Sequence, residues 1–171
     1  MKTFIFGLVF LGFTNLTAAQ EVIASVNYDN SSIKSELTTP VKNSEYLSNF
    51  DTKNVSEVIS DFQKYVANYD LANAKVYTSE DPSIYHISFS EGNNRVEATY
   101  NQEGALISCI EKYENVRLPL TISSKIARQY PDWEFNKVNC TIKYVKNSDA
   151  IIAYEVAIKK DSKRKTVKYT L

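Results

Sequence analysis

The sequence predicts an α+β fold: two tandem helix-plus-antiparallel-strand units forming one sheet, with the helices packed on one face. Three observations carry this. Apolar residues recur at three- and four-residue spacing over 55–69 and again over 118–130. They switch to every second residue in the segments that follow. The hairpin "YHISFSEGNNRVEATYNQEG" at 85–104 also returns in altered form as "YEVAIKKDSKRKTVKYT" at 154–170.

Residues 1–19, "MKTFIFGLVFLGFTNLTAA", combine Lys2, an apolar run from Phe4 to Phe13 and small residues at Thr17, Ala18 and Ala19 before Gln20. This is the pattern of a secretory signal peptide, so an exported, periplasmic or extracellular protein is expected, with no membrane span after cleavage. Residues 20–53 are rich in Ser, Thr, Asn and Asp and contain Pro40, which predicts a polar lead-in or tail that adds little to the core. Within it, "VIASV" at 22–26 offers no more than an edge strand.

Residues 54–171 are expected to form one domain, with repeat 1 at about 54–113 and repeat 2 at about 117–171. Val55, Val58, Ile59, Phe62, Tyr65, Val66 and Tyr69 line one face of a helix, with Asn54 as its cap and Glu57 completing a capping box. Ala74, Val76 and Thr78 suit a first strand. Tyr85, Ile87 and Phe89 then alternate with His86, Ser88 and Ser90, and Val96, Ala98 and Tyr100 alternate with Glu97 and Thr99. "EGNN" at 91–94 suits a tight hairpin, and "NQEG" at 101–104 a turn with Gly104 in the left-handed region. The strand from Ala105 to Tyr113 closes the first unit.

In the second unit Pro119 fits a first helical turn, Leu118, Ile122, Ile126 and Tyr130 form a stripe, and Pro131 ends the helix. "WEFNKVNCTIKYV", "AIIAYEVAIKK" and "RKTVKYTL" read as three strands. An offset of 69 residues aligns Tyr85 with Tyr154, Ile87 with Val156, Phe89 with Ile158, Ala98 with Val167 and Tyr100 with Tyr169. Both hairpins are therefore expected to direct matching side chains inward.

The chain has 20 basic and 20 acidic side chains, so no overall field draws in nucleic acid. The basic stretch "KKDSKRK" at 159–165 falls at a hairpin turn and reads as a solvated loop. No nucleophile-elbow, zinc-helix, phosphate-loop or EF-hand motif occurs, and no catalytic group, metal site or cofactor is expected. His86 is the only histidine, which excludes a His-based metal cluster. A thiol-dependent hydrolase would need His86 beside Cys109 or Cys140. Export permits those two cysteines to pair, closing a loop of about thirty residues worth on the order of 3 kcal/mol. Cys140 shares parity with Val138, Ile142 and Tyr144, which equally fits an unpaired apolar core residue. Glu91, Glu97, Glu103, Glu111 and Glu114 read as solvated charges on turns and outer strand positions.

By alternation, the face opposite the helices presents His86, Ser88, Glu97, Thr99, Glu155, Ala157, Lys159, Thr166 and Lys168. That mixed, uncovered surface is the candidate docking site for an unknown envelope protein or peptide. Trp133, the sole tryptophan, stands at a helix-to-strand junction; core packing and an exposed anchor are both open to it.

The segments "ATYNQEGALI" at 98–107 and "LPLTISSKIARQYPDWEFNKV" at 118–138 resemble the secreted PepSY-like, beta-lactamase-inhibitor-like proteins of Gram-negative envelopes. The resemblance covers roughly residues 55–171, the span of a single domain. It implies helices against an antiparallel sheet, usually repeated, and a non-catalytic binding or inhibitory role. The long lead-in departs from that pattern. A structural envelope component without a discrete ligand is the alternative.

Overall fold

The computed structural model describes residues 21–27, 42–50, 53–78 and 84–171. The expected signal peptide lies outside them, as does part of the lead-in. The described chain is α+β, with three α-helices and a seven-stranded mixed sheet. The elements run β1 (Glu21–Asn27), α1 (Ser44–Ser48), α2 (Glu57–Ala67), β2 (Ile84–Glu91), β3 (Asn94–Tyr100), β4 (Leu106–Glu114), α3 (Leu120–Gln129), β5 (Glu134–Val145), β6 (Ile151–Lys160) and β7 (Lys163–Thr170). The strands lie side by side in chain order, antiparallel throughout except for β1, which pairs parallel with β2.

Alternation decides which side chains enter the core. Tyr85, Ile87 and Phe89 of β2 are buried, as are Val96, Ala98 and Tyr100 of β3, Ile152, Tyr154, Val156 and Ile158 of β6, and Val167 of β7. The two hairpins share their register: Tyr85 faces Tyr100 and Ile87 faces Ala98, just as Tyr154 faces Tyr169 and Val156 faces Val167. Each closes through a two-residue turn whose first residue has positive φ, +55° at Gly92 and +53° at Asp161. Gly104 has φ +77°, and its N–H donates to the Asn101 carbonyl at 3.0 Å, as the NQEG turn requires.

Two local expectations are corrected. Asn54 does not cap α2, because its backbone sits at φ +50°; Ser56 takes the cap position instead. Residues 74–78 form no strand. A short 3₁₀ turn at Leu71–Asn73 leads into an irregular segment. The edge of β2 is taken instead by β1, whereas the matching edge of β6 is taken by the antiparallel β5.

The lead-in contributes far more than its composition predicts. Tyr46 and Phe50 are core residues, with ring centroids 5.4 Å apart, and Tyr46 also packs edge-on against Tyr144 of β5 at 5.1 Å. Asn43 is buried; its amide donates to the Ala67 carbonyl at 2.8 Å, and its Oδ1 accepts from the Leu106 N–H at 2.8 Å. One side chain thus joins the lead-in, the last turn of α2 and the start of β4. Asn49 Oδ1 and Glu45 Oε1 accept from the Ala150 and Asn147 N–H groups, both at 2.9 Å, and fasten α1 to the β5–β6 turn.

Buried tyrosines, rather than phenylalanines, serve the same backbone accounting. The last-turn carbonyls of a helix have no intrahelical donor. The Tyr100 hydroxyl donates to the Val66 carbonyl at 2.7 Å, and the Tyr85 hydroxyl donates to the Thr78 carbonyl at 2.8 Å. Asn43→Ala leaves a buried N–H and carbonyl without their partners. It is expected to cost about 2 kcal/mol and lower the melting temperature by roughly 4 to 8 °C. Thermal unfolding followed by circular dichroism checks this; a melt coincident with the parent would show that the lead-in is not fastened there.

Candidate functional site

The chain's most polar interior point is Glu111, a β4 residue with no solvent exposure. This corrects its reading as a solvated charge: its parity is that of Cys109 and Tyr113, and it points into the core. Four side chains donate to its carboxylate. The Tyr46 and Tyr113 hydroxyls reach Oε1 and Oε2 at 2.8 and 2.7 Å, Gln63 Nε2 reaches Oε2 at 3.0 Å, and Cys109 Sγ reaches Oε1 at 3.4 Å. Burial pushes the Glu111 carboxyl above its ordinary value, and these donors push back. The cluster is buried and its carboxylate oxygens are taken up by its own partners, so it ties α1, α2 and β4 together.

The thiol reading fails on geometry. Cys109 stands opposite Tyr144 and Cys140 opposite Tyr113, four residues apart along the β4–β5 ladder, so both remain free and no disulfide joins them. Both thiols point inward, where burial pushes Cys109 well up and Cys140 up to about 12. His86 belongs to the opposite face, with Nδ1 3.1 Å from Thr99 Oγ1. No histidine–cysteine pair forms. No group of three or more potential metal ligands occurs among the described residues, and no described helix is long and apolar enough to cross a membrane.

The outward face can be read row by row from the strand register. One row runs Ile23, His86, Thr99, Ser108, Val145; the next runs Ser25, Ser88, Glu97, Ile110, Lys143, Ile151. A shallow groove of about 330 Å³ follows these rows over β1–β4. A larger cleft, about 510 Å³, lies between Asn54–Val58 and Asn115–Pro119, at the starts of α2 and α3. Its lining includes Ser56, Glu57 and Arg117.

The predicted outward residues divide between two regions. His86, Ser88, Glu97 and Thr99 line the groove. Glu155, Lys159, Thr166 and Lys168 lie on β6 and β7, where Lys168 pairs with Glu155 at 3.2 Å and Lys159 with Glu134 at 3.1 Å. Trp133 joins neither group. It is half-buried against the core, its ring 6.0 Å from that of Tyr130. Sequence reasoning missed the centre of the face: Ile110, Val145 and Ile151 are 42%, 56% and 54% exposed, and Lys112 and Lys143 are exposed beside them. The signal was present in the alternation of β4, β5 and β6, where each is one residue out of phase with a buried tyrosine, isoleucine or glutamate.

Comparison with known proteins finds no matching family model, no matching curated protein and no matching solved structure.

A buried carboxyl whose folded-state pKa is raised takes up its proton more readily in the folded chain. Its contribution to stability is full below the ordinary value of 4.5 and is lost as pH rises through the raised folded value. Glu111→Gln is expected to flatten that decline while costing about 1 to 3 kcal/mol through mismatched donors. Urea unfolding from pH 4 to 8 checks it; equal pH slopes in parent and variant would show that Glu111 does not titrate between the two states.

Proposed function

We propose that the protein is an exported, non-catalytic and cofactor-free binding module that docks a protein or peptide of the bacterial envelope on the outward face of its sheet. The observation that carries this reading is a sheet face that no described element covers. It has a groove lined by Ile23, His86, Thr99 and Ile110, while the core and its aromatic packing occupy the other side. A sheet left open on one side is either solvated or a docking surface, and exposed isoleucines in the middle of it favour docking.

The reading takes the chain as two tandem units whose helices share one face. Phe62 of α2 packs edge-on against Tyr113, and Lys125 and Gln129 of α3 reach Tyr169. Both of these tyrosines have inward parity. The shared register of the two hairpins supports a duplicated unit, with β1 standing in for the strand that the first copy lacks. The role agrees with the likeness to PepSY-like, beta-lactamase-inhibitor-like proteins, in which "inhibitory" describes one form that docking takes.

A second reading, a structural envelope component without a discrete ligand, is favoured by the ion pairs that tile β5–β7, since a merely solvated surface needs no more than these. Capture from an envelope extract separates the two. The triple variant Glu97→Ala, Thr99→Ala, Lys168→Ala is expected to reduce recovery of the captured partner about tenfold with an unchanged melt, whereas Lys64→Ala on α2 leaves recovery intact. Recovery insensitive to the triple variant would place docking elsewhere, and self-association alone would favour the structural reading.

A further inference from the structure

Strands β2–β7 present seven cations outward, Arg95, Lys112, Lys137, Lys143, Lys159, Arg164 and Lys168, against four carboxylates. Every one of those carboxylates is already in an ion pair: Glu97 with Arg95, Glu114 with Lys137, Glu134 with Lys159, and Glu155 with Lys168. Lys112, Lys143 and Arg164 are left with no carboxylate among the described residues. Arg164 stands apart near the β6–β7 turn. Lys112 and Lys143 flank Ile110 at the centre of the face, and Lys143 stands directly between Ile110 and Ile151 in the cross-strand row. Lys112 also lies directly opposite Arg95, a like-charged pairing that weakens a sheet.

Resting on the docking reading above, we infer that this central patch recognises an acidic, apolar-anchored protein segment, in which carboxylates meet Lys112 and Lys143 and alternate apolar side chains cover Ile110, Val145 and Ile151. Charge complementarity selects the acid: among the described residues of β2–β7 every outward carboxylate is already ion-paired, whereas Lys112 and Lys143 are not. The apolar spacing selects the form. Ile110 with Lys112 on β4, and Lys143 with Val145 on β5, stand two residues apart on one face, about 6.6 to 6.8 Å, which is the spacing at which an extended segment laid along the strands presents its alternate side chains. An anionic lipid surface fits less well, since such surfaces recruit clusters of about four to eight cations and here two are interleaved with Glu97.

Fluorescence anisotropy on the whole chain tests this with three labelled peptides, one alternating Glu and Leu, one Lys and Leu, and one Glu and Ser, alongside phosphatidylglycerol vesicles. The Glu/Leu peptide is expected to bind about tenfold more tightly than either other peptide and to weaken in high salt. The double variant Lys112→Glu, Lys143→Glu should transfer the preference to the Lys/Leu peptide, and Ile110→Ser, Ile151→Ser should abolish binding with the melt preserved. Equal affinity for the acidic and basic peptides overturns the acidic partner while leaving the docking face standing. Vesicle binding stronger than that of any peptide overturns a protein partner. Binding that no outward substitution alters overturns this inference and the docking reading together.

Discussion

A carboxylate removed from water must be surrounded by donors, and at Glu111 this requirement organises the fold. Its partners come from α1 through Tyr46, from α2 through Gln63 and from β4 through Cys109 and Tyr113. An unpaired charge at that depth costs several kcal/mol, so the three elements hold their relative positions or the charge is stranded. Around it the core is built largely from tyrosine. Each of Tyr46, Tyr85, Tyr100 and Tyr113 combines a large buried ring with a hydroxyl that answers a carboxylate or a backbone carbonyl.

The same arrangement leaves the sheet asymmetric. One parity of the strands is buried and rich in aromatic residues; the other carries polar side chains, ion pairs and exposed isoleucines. Lys168 with Glu155 on β7 and β6, and Lys137 with Glu114 toward one end of β5 and β4, pair those charges locally. The centre is different, because Lys112 and Lys143 stand among Ile110, Val145 and Ile151 without an ion pair among the described residues.

Much of the inward half of this architecture was legible from residue periodicity. The alternation in 85–100 and 154–169 assigned Ile87 and Val156 to the interior, and the stripe Ile59, Phe62, Val66 identified the buried side of α2. The outward residues His86, Thr99 and Glu155 followed from the same count. What could not be read that way involved partners distant in the chain. Asn43 looks like any polar residue of a loose segment until Ala67 and Leu106 are brought to it. Glu111 looks solvated until Tyr46 and Gln63 arrive. Cys109 and Cys140 looked able to pair until the β4–β5 register set them four residues apart.

Sequence alone determined the alternation of strands, the two hairpins with their matched turns, and the side of the sheet each of their residues takes, because these depend on backbone geometry that repeats every two residues. Only tertiary structure decided that the lead-in supplies an edge strand and a core helix, that a glutamate is the hub of the interior, and that Lys112 and Lys143 stand beside Ile110 without an ion pair among the described residues. Each of those outcomes rests on contacts between residues tens of positions apart, and the energy of a polar group is set by what surrounds it rather than by its neighbours in the chain.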